Sequence, residues 1–265
     1  MRSLLIDAFR SASAGRSVIA FPPAGAGTEY FHRWISCDTP EFSLVPVRLP
    51  GRQDLWDQAP MDSMRQIVDH LADELAERSE RTSVILGICS GGLMAYELAH
   101  RLLAADPDSV RALVLNATPL PAVASSGLLR SVGTDGPFLS QADSEVLRES
   151  FAATEYGKFS ERGKGDDTRR AALLDEIWEL AEPRVRADIH AVEFHDYELT
   201  PLEIPITAVH GEFDDAVGID TVRQWADYTS AGFEIRALEG GHSLIADCPT
   251  EFAREINNVV RAAIG

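Results

Sequence analysis

Six short runs in this chain read as strands, and most are apolar throughout: Ser17–Phe21, Phe42–Val47, Ser83–Ile88, Arg111–Asn116, Ile204–His210 and Phe233–Leu238. A strand with one wet face alternates apolar and polar residues. An uninterrupted run therefore implies a strand covered on both faces, the condition of a parallel sheet between two layers of helix. Helical periodicity fills the gaps near residues 63–78, 91–104, 219–228 and 249–263. Strand then helix, repeated, builds βαβ units and so an α/β fold with a doubly wound, mostly parallel sheet. At 265 residues the chain has a length this class routinely reaches as one unit, so a single domain over 1–265 is expected. Between Pro119 and Pro201 the alternation stops. Helical patterns near 141–152 and 168–182 flank a soft tract, Gly157–Asp167, so an insertion at about 120–200 is expected to lie as a helical lid over the C-terminal edge of the sheet.

Composition excludes several functions. The chain carries 42 acidic and 24 basic residues, a formal charge of −18, and a surface of that sign repels nucleic acid and anionic lipid. It contains no run of 18 apolar residues and no secretory leader pattern at its start, so neither a membrane span nor export is expected. Three cysteines, Cys37, Cys89 and Cys248, are too few and too scattered for a disulfide framework or a zinc site. A reducing cytoplasm is the expected compartment, with no metal and no cofactor.

The sharpest local pattern is Gly87-Ile88-Cys89-Ser90-Gly91. It follows one apolar run and opens a helical one, Leu93–Ala99. A strand–turn–helix with glycine two residues before and two after a reactive side chain is the nucleophile elbow of the α/β-hydrolase fold, where the tight turn leaves no room for flanking side chains. The spacing centres on Cys89; centring it on Ser90 would put Ile88 where glycine is needed. A helix N-terminus and a histidine together lower a thiol's pKa, so Cys89 reads as a nucleophile rather than as an inert buried thiol.

A nucleophile of this kind needs a base and the base an orienter, and in this fold they follow in the order nucleophile, acid, histidine. Of seven histidines, His242 lies in the polar loop Glu239-Gly-Gly-His-Ser243 between the last strand and the last helix, as that order demands. His210 ends a strand and reads as packed; His32, His70, His100, His190 and His195 read as core or surface residues. The acid is expected after the preceding strand, in His210-Gly-Glu-Phe-Asp-Asp215, where Asp214 is the choice and Asp215 and Glu212 the alternatives. For the oxyanion hole, one backbone N–H is expected from Ser90. The other is expected from Ala24, in the loop Pro22-Pro-Ala-Gly-Ala-Gly27 after the first strand. That loop could also suggest a phosphate cradle, but Tyr30 replaces the third glycine of such a motif and no Gly-Lys-Ser/Thr follows.

Taken together, these residues resemble the type II thioesterases that accompany polyketide synthases and nonribosomal peptide synthetases. The resemblance covers most of the chain. It rests on Phe21–Gly25, Leu49–Arg52, the elbow with Ala95–Ala99, Arg186-Ala187-Asp188 with Glu193 and Tyr197, and Gly240-Gly241-His242. It implies an α/β-hydrolase with a helical lid that acts on acyl chains held as phosphopantetheine thioesters on an acyl or peptidyl carrier protein. The chain departs from the family's Gly-His-Ser-Met-Gly elbow at Ile88, Cys89 and Ser90, and from its Asp-Pro at Asp214-Asp215. A thiolate attacking a thioester makes another thioester, so the acyl group stays activated and can pass to water, to an amine or to an internal nucleophile. Lys158, Arg162, Lys164, Arg169 and Arg170 outnumber Glu161, Asp166 and Asp167 in the insertion, a local positive patch suited to an acidic carrier. Two rival readings remain: a dienelactone-hydrolase-like cysteine hydrolase of small esters or lactones, and a non-catalytic hydrolase fold that binds carrier protein.

Overall fold

The computed structural model describes residues 2–7, 16–37, 42–78, 81–125, 138–151 and 167–264. Six strands among them form one sheet: β1 (Arg16–Phe21), β2 (Ser43–Pro46), β3 (Arg81–Ile88), β4 (Ala112–Asn116), β5 (Ile206–Gly211) and β6 (Phe233–Leu238). Their order is β2-β1-β3-β4-β5-β6, and every neighbouring pair is parallel. The six apolar runs are these six strands, with ends shifted by a residue or two.

Both faces of the sheet are covered, as uninterrupted apolar runs require. On one face Ile19, Phe21, Ile85 and Leu113 pack with Met64, Ile67 and Leu71 of α2 (Met64–Ala76) and Leu93 and Tyr96 of α3 (Ser90–Ala105). On the other, Val18, Ala20, Val84 and Leu86 meet Trp34 of α1 (His32–Cys37) and Phe252, Ile256 and Val260 of the C-terminal helix Pro249–Ile264. β6, at the edge, alternates between partly covered and exposed residues. Among the described residues no helix is long and apolar enough to cross a membrane.

The connection from β4 to β5 holds α4 (Pro121–Ser125), α5 (Ser144–Phe151) and α6 (Asp167–Glu193). Helices are thus present where the alternation stops. α6, however, runs eleven residues beyond its expected end, through Pro183. Proline removes one helical hydrogen bond and usually ends the pattern at the preceding residue. Here Val185, Ile189 and Val192 fall on one buried face beyond it, and that burial outweighs the lost bond. Glu193, 2% exposed, closes the same end of α6. Its carboxylate accepts the N–H groups of Leu139 and Ser140 at 2.8 and 3.0 Å and the Ser140 hydroxyl at 2.5 Å. The basic residues Lys158, Arg162 and Lys164 lie outside the described residues, as do the side chains of Arg169 and Arg170. α1 was missed from sequence because six residues are too few to display a period.

The turn joining β3 to α3 leaves no room for side chains at its glycines. A Cβ on Gly87 would collide with the backbone of Gly91 and Gly92, one on Gly91 with the carbonyl of Pro22, and one on Gly92 with the side chain of Thr118. Gly92→Ala is therefore expected to destabilise the protein by about 1–3 kcal/mol, the usual cost of overpacking. Gly218→Ala, whose added methyl meets nothing within 4 Å, should cost less than about 1 kcal/mol. Urea midpoints of the two variants test the difference.

Candidate active site

Cys89 sits at φ 52° and ψ −124°, a left-handed backbone that a side-chain-bearing residue adopts only under constraint. The constraint is visible on all sides. Its N–H donates to Asn116 at the end of β4 (2.8 Å), its carbonyl accepts from Gly92 (3.0 Å), and the glycines around it let β1 and β4 close in. The Asn116 amide in turn donates to the carbonyl of Val209 in β5 (2.8 Å). The turn throws the side chain out of the sheet, and Cys89 is partly exposed while Ile88 and Ser90 on either side are buried. Among the described residues only Gln53, Cys89 and Ala117 combine a side chain with positive φ. All three follow the C-terminal ends of strands, the edge where sites form in open α/β sheets.

Two further loops converge there. Gly211, at the end of β5, has no room for a side chain because the carbonyls of Gly240 and Gly241 lie against it. The Phe213 N–H donates to the Gly240 carbonyl (2.9 Å), and Asp247, at the end of the short helix Leu244–Asp247, accepts the Gly241 N–H (2.8 Å). These contacts bring His242 to Asp214: Nδ1 lies 3.1 Å from both carboxylate oxygens. The alternatives are separated by burial, since Asp214 is 5% exposed whereas Asp215 and Glu212 are exposed. The Asp214 carboxylate also accepts the N–H groups of Ala216 and Val217, both at 3.0 Å.

The electrostatics of this pair are strong because it is dry. Burial by itself would raise the Asp214 carboxyl, but the bond and charge of His242 and the two backbone donors outweigh it and hold Asp214 below the usual carboxylate range. Burial would lower His242; the bond to Asp214 and the adjacent Cys89 sulfur outweigh that and raise the imidazole well above its ordinary range. Its Nε2 is buried and makes no conventional hydrogen bond. The thiol of Cys248, by contrast, is pushed up to about 11 by burial and by Glu251 and Asp247.

The other histidines are elsewhere. His210 is buried and burial lowers its pKa. His70 pairs with Glu74 (2.9 Å) and His195 with Glu97 (3.0 Å), and His190 meets the carbonyl of Asp62 (3.1 Å). Among the described residues no group of three His, Cys, Asp or Glu side chains could hold a metal ion.

Ser90 is the first residue of α3, where backbone N–H groups have no intrahelical partner. Ala24 belongs to the loop whose Pro22 carbonyl packs on Gly91, so the two expected oxyanion donors come from adjoining pieces of backbone. Sequence reasoning missed what braces that loop. Arg52 and Asp188, each 2% exposed, form a two-pronged ion pair at 2.7 and 2.9 Å. Both belong to blocks noted in the sequence, but their contact joins residues far apart in the chain and nothing local signals it.

An α/β sheet with a nucleophile elbow, followed in chain order by a buried acid and a histidine in contact, defines the α/β-hydrolase class. Within it the chain belongs to the thioesterase family, whose domain model matches residues 16–260. It is 29% identical to the Pseudomonas aeruginosa AMB antimetabolite synthetase AmbE over 256 residues, which are 94% of this chain but only 11% of that protein. The probable cadicidin biosynthesis thioesterase of Streptomyces griseus is 26% identical over 251 residues, 93% of this chain and 62% of that one. Among solved structures, RedJ, a thioesterase from the prodiginine biosynthetic pathway in Streptomyces coelicolor, superposes with a TM-score of 0.74 at 26% identity, over 94% of this chain and 87% of its own.

The shifted pair makes stability depend on pH in a defined window. A raised His242 contributes fully below its unfolded pKa of about 6.5 and is lost as pH climbs through the folded value; a depressed Asp214 contributes above about 3.9 and is lost as pH falls. The stability advantage of the wild type over Asp214→Asn should therefore be greatest between about pH 4 and 6.5 and shrink on both sides, as read from urea unfolding across pH.

Proposed function

We propose that this protein is an acyl-enzyme catalyst with a Cys89–His242–Asp214 triad. It takes acyl chains held as phosphopantetheine thioesters on an acyl or peptidyl carrier protein, and releases or transfers them in natural-product biosynthesis. The observation that carries this reading is the convergence of a strained, partly exposed cysteine with a buried histidine held by a carboxylate, in a chain of the thioesterase family. The names of its relatives, which refer to an antimetabolite, cadicidin and prodiginine, support the biosynthetic setting. No cofactor is needed for the chemistry.

His242 takes the thiol proton of Cys89. The Cys89 sulfur attacks the thioester carbon, a C–S bond forms, and the carbonyl oxygen becomes an oxyanion facing the N–H groups of Ala24 and Ser90. Collapse breaks the bond to the pantetheine sulfur, which leaves with the proton from His242. In the second half His242 takes a proton from water or an amine as that nucleophile attacks the acyl-cysteine, and the departing Cys89 sulfur takes that proton back from His242. Asp214 holds the ring in orientation and stabilises its positive charge. Because the first half exchanges one thioester for another, little driving force is spent before the acceptor arrives. That favours aminolysis or cyclisation beside hydrolysis.

Intact mass spectrometry after adding an acyl-S-N-acetylcysteamine should show one acyl adduct, absent in Cys89→Ala, whose turnover should fall by about a thousandfold or more. Added amines should discharge the adduct as amide. Undiminished turnover by Cys89→Ala would overturn the assignment, and free acid as the sole product with every amine would overturn the transfer step.

A further inference from the structure

We propose that the Arg52–Asp188 pair is the positioning device of the oxyanion loop, so that acylation of Cys89 depends on helix α6 being seated against that loop. The inference rests on the triad reading above.

The loop is a four-residue turn, closed by the Ala26 N–H donating to the Pro23 carbonyl at 3.1 Å. Ala24 and Gly25 are its central residues, and Gly25 has φ +72°, as a type II turn requires at that position. Types I and II differ by a flip of the central peptide, here Ala24–Gly25. Asp188 of α6 settles the flip: its Oδ2 accepts the Gly25 N–H at 2.8 Å. Arg52 holds the next group along, its Nη1 donating to the Ala26 carbonyl at 2.8 Å. The same Nη1 bonds Asp188 Oδ2 at 2.9 Å, so the two clamps are one unit. The Ala24 side chain meanwhile packs with Leu139, Trp178, Val185 and Ile189, all from the β4–β5 connection. Gln53, next to Arg52 and itself left-handed, donates to Thr28 Oγ1 at 2.7 Å and so braces the far end of the loop.

Such a pair is a poor way to gain stability. Desolvating two charges offsets most of their attraction, and Arg52 Nε is buried with no partner. What the geometry does deliver is a fixed backbone for residues 24–26: the clamp holds the Ala24–Gly25 peptide directly, and through it the place of Ala24, whose own N–H belongs to the preceding peptide.

The test separates an oxyanion defect from a folding defect. Iodoacetamide alkylates Cys89 by displacement at a saturated carbon, which develops no charge on a carbonyl oxygen, whereas acylation by a thioester does. In Asp188→Asn, acylation of Cys89 by acyl-S-N-acetylcysteamine should fall by about a hundredfold, the scale of losing one oxyanion donor. The alkylation rate of Cys89 in the same sample should change by less than about twofold, since nucleophile and base are untouched. KM should hold while kcat drops. Arg52→Lys, which keeps the charge but loses the planar fork, should fall between wild type and Asp188→Asn. Equal losses in acylation and alkylation would overturn the proposal, as would unchanged acylation in both variants. Failure of the triad reading is seen separately, as wild-type protein that turns over thioester without acylating Cys89.

Discussion

Everything at this site depends on one unfavourable backbone conformation. Cys89 is held left-handed between a strand and a helix, and the strain persists only because neighbours on three sides leave it no alternative. Gly87, Gly91 and Gly92 surrender their side chains so that Pro22 of the β1 loop and Thr118 beyond β4 can press against the turn. Those same contacts bring the β1 loop, which carries Ala24, against the turn, and the Asn116 carbonyl holds the Cys89 N–H. The turn presents the sulfur at the C-terminal edge of the sheet, and the loops after β5 and β6 meet there.

Electrostatics then decide what the sulfur can do. Asp214 and His242 are almost fully buried, and their interaction is screened little by water. Each group offsets the other's burial: the bond to His242 holds the Asp214 carboxyl down, and the bond to Asp214 raises the imidazole. Serine in the same turn would convert a thioester downhill into an ester. On the proposed reading, sulfur would keep the acyl group at nearly its original activation, and the choice of acceptor would determine the product.

Much of this could be read from sequence, for reasons specific to each element. The first five strands were legible because burial on both faces suppresses alternation, and the tight turn at Cys89 because of its flanking glycines. His242 and Asp214 followed from chain order, and burial distinguishes Asp214 from Asp215 and Glu212. The far half of α6 was not legible, since Pro183 argues locally for an end that Val185, Ile189 and Val192 override by packing. Nor was the Arg52–Asp188 clamp: each residue stood in a noticed block, but a pairing between a β2–α2 loop and an insertion helix exists only once the chain is folded.

The central claim is that the elbow delivers Cys89 to His242. Rates of alkylation by iodoacetamide near pH 7, followed peptide by peptide, test it most directly. Cys89 should react at least about tenfold faster than Cys248, and the advantage should collapse in His242→Ala. Equal reactivity of the two thiols, or a Cys89 rate indifferent to loss of the imidazole, would contradict it.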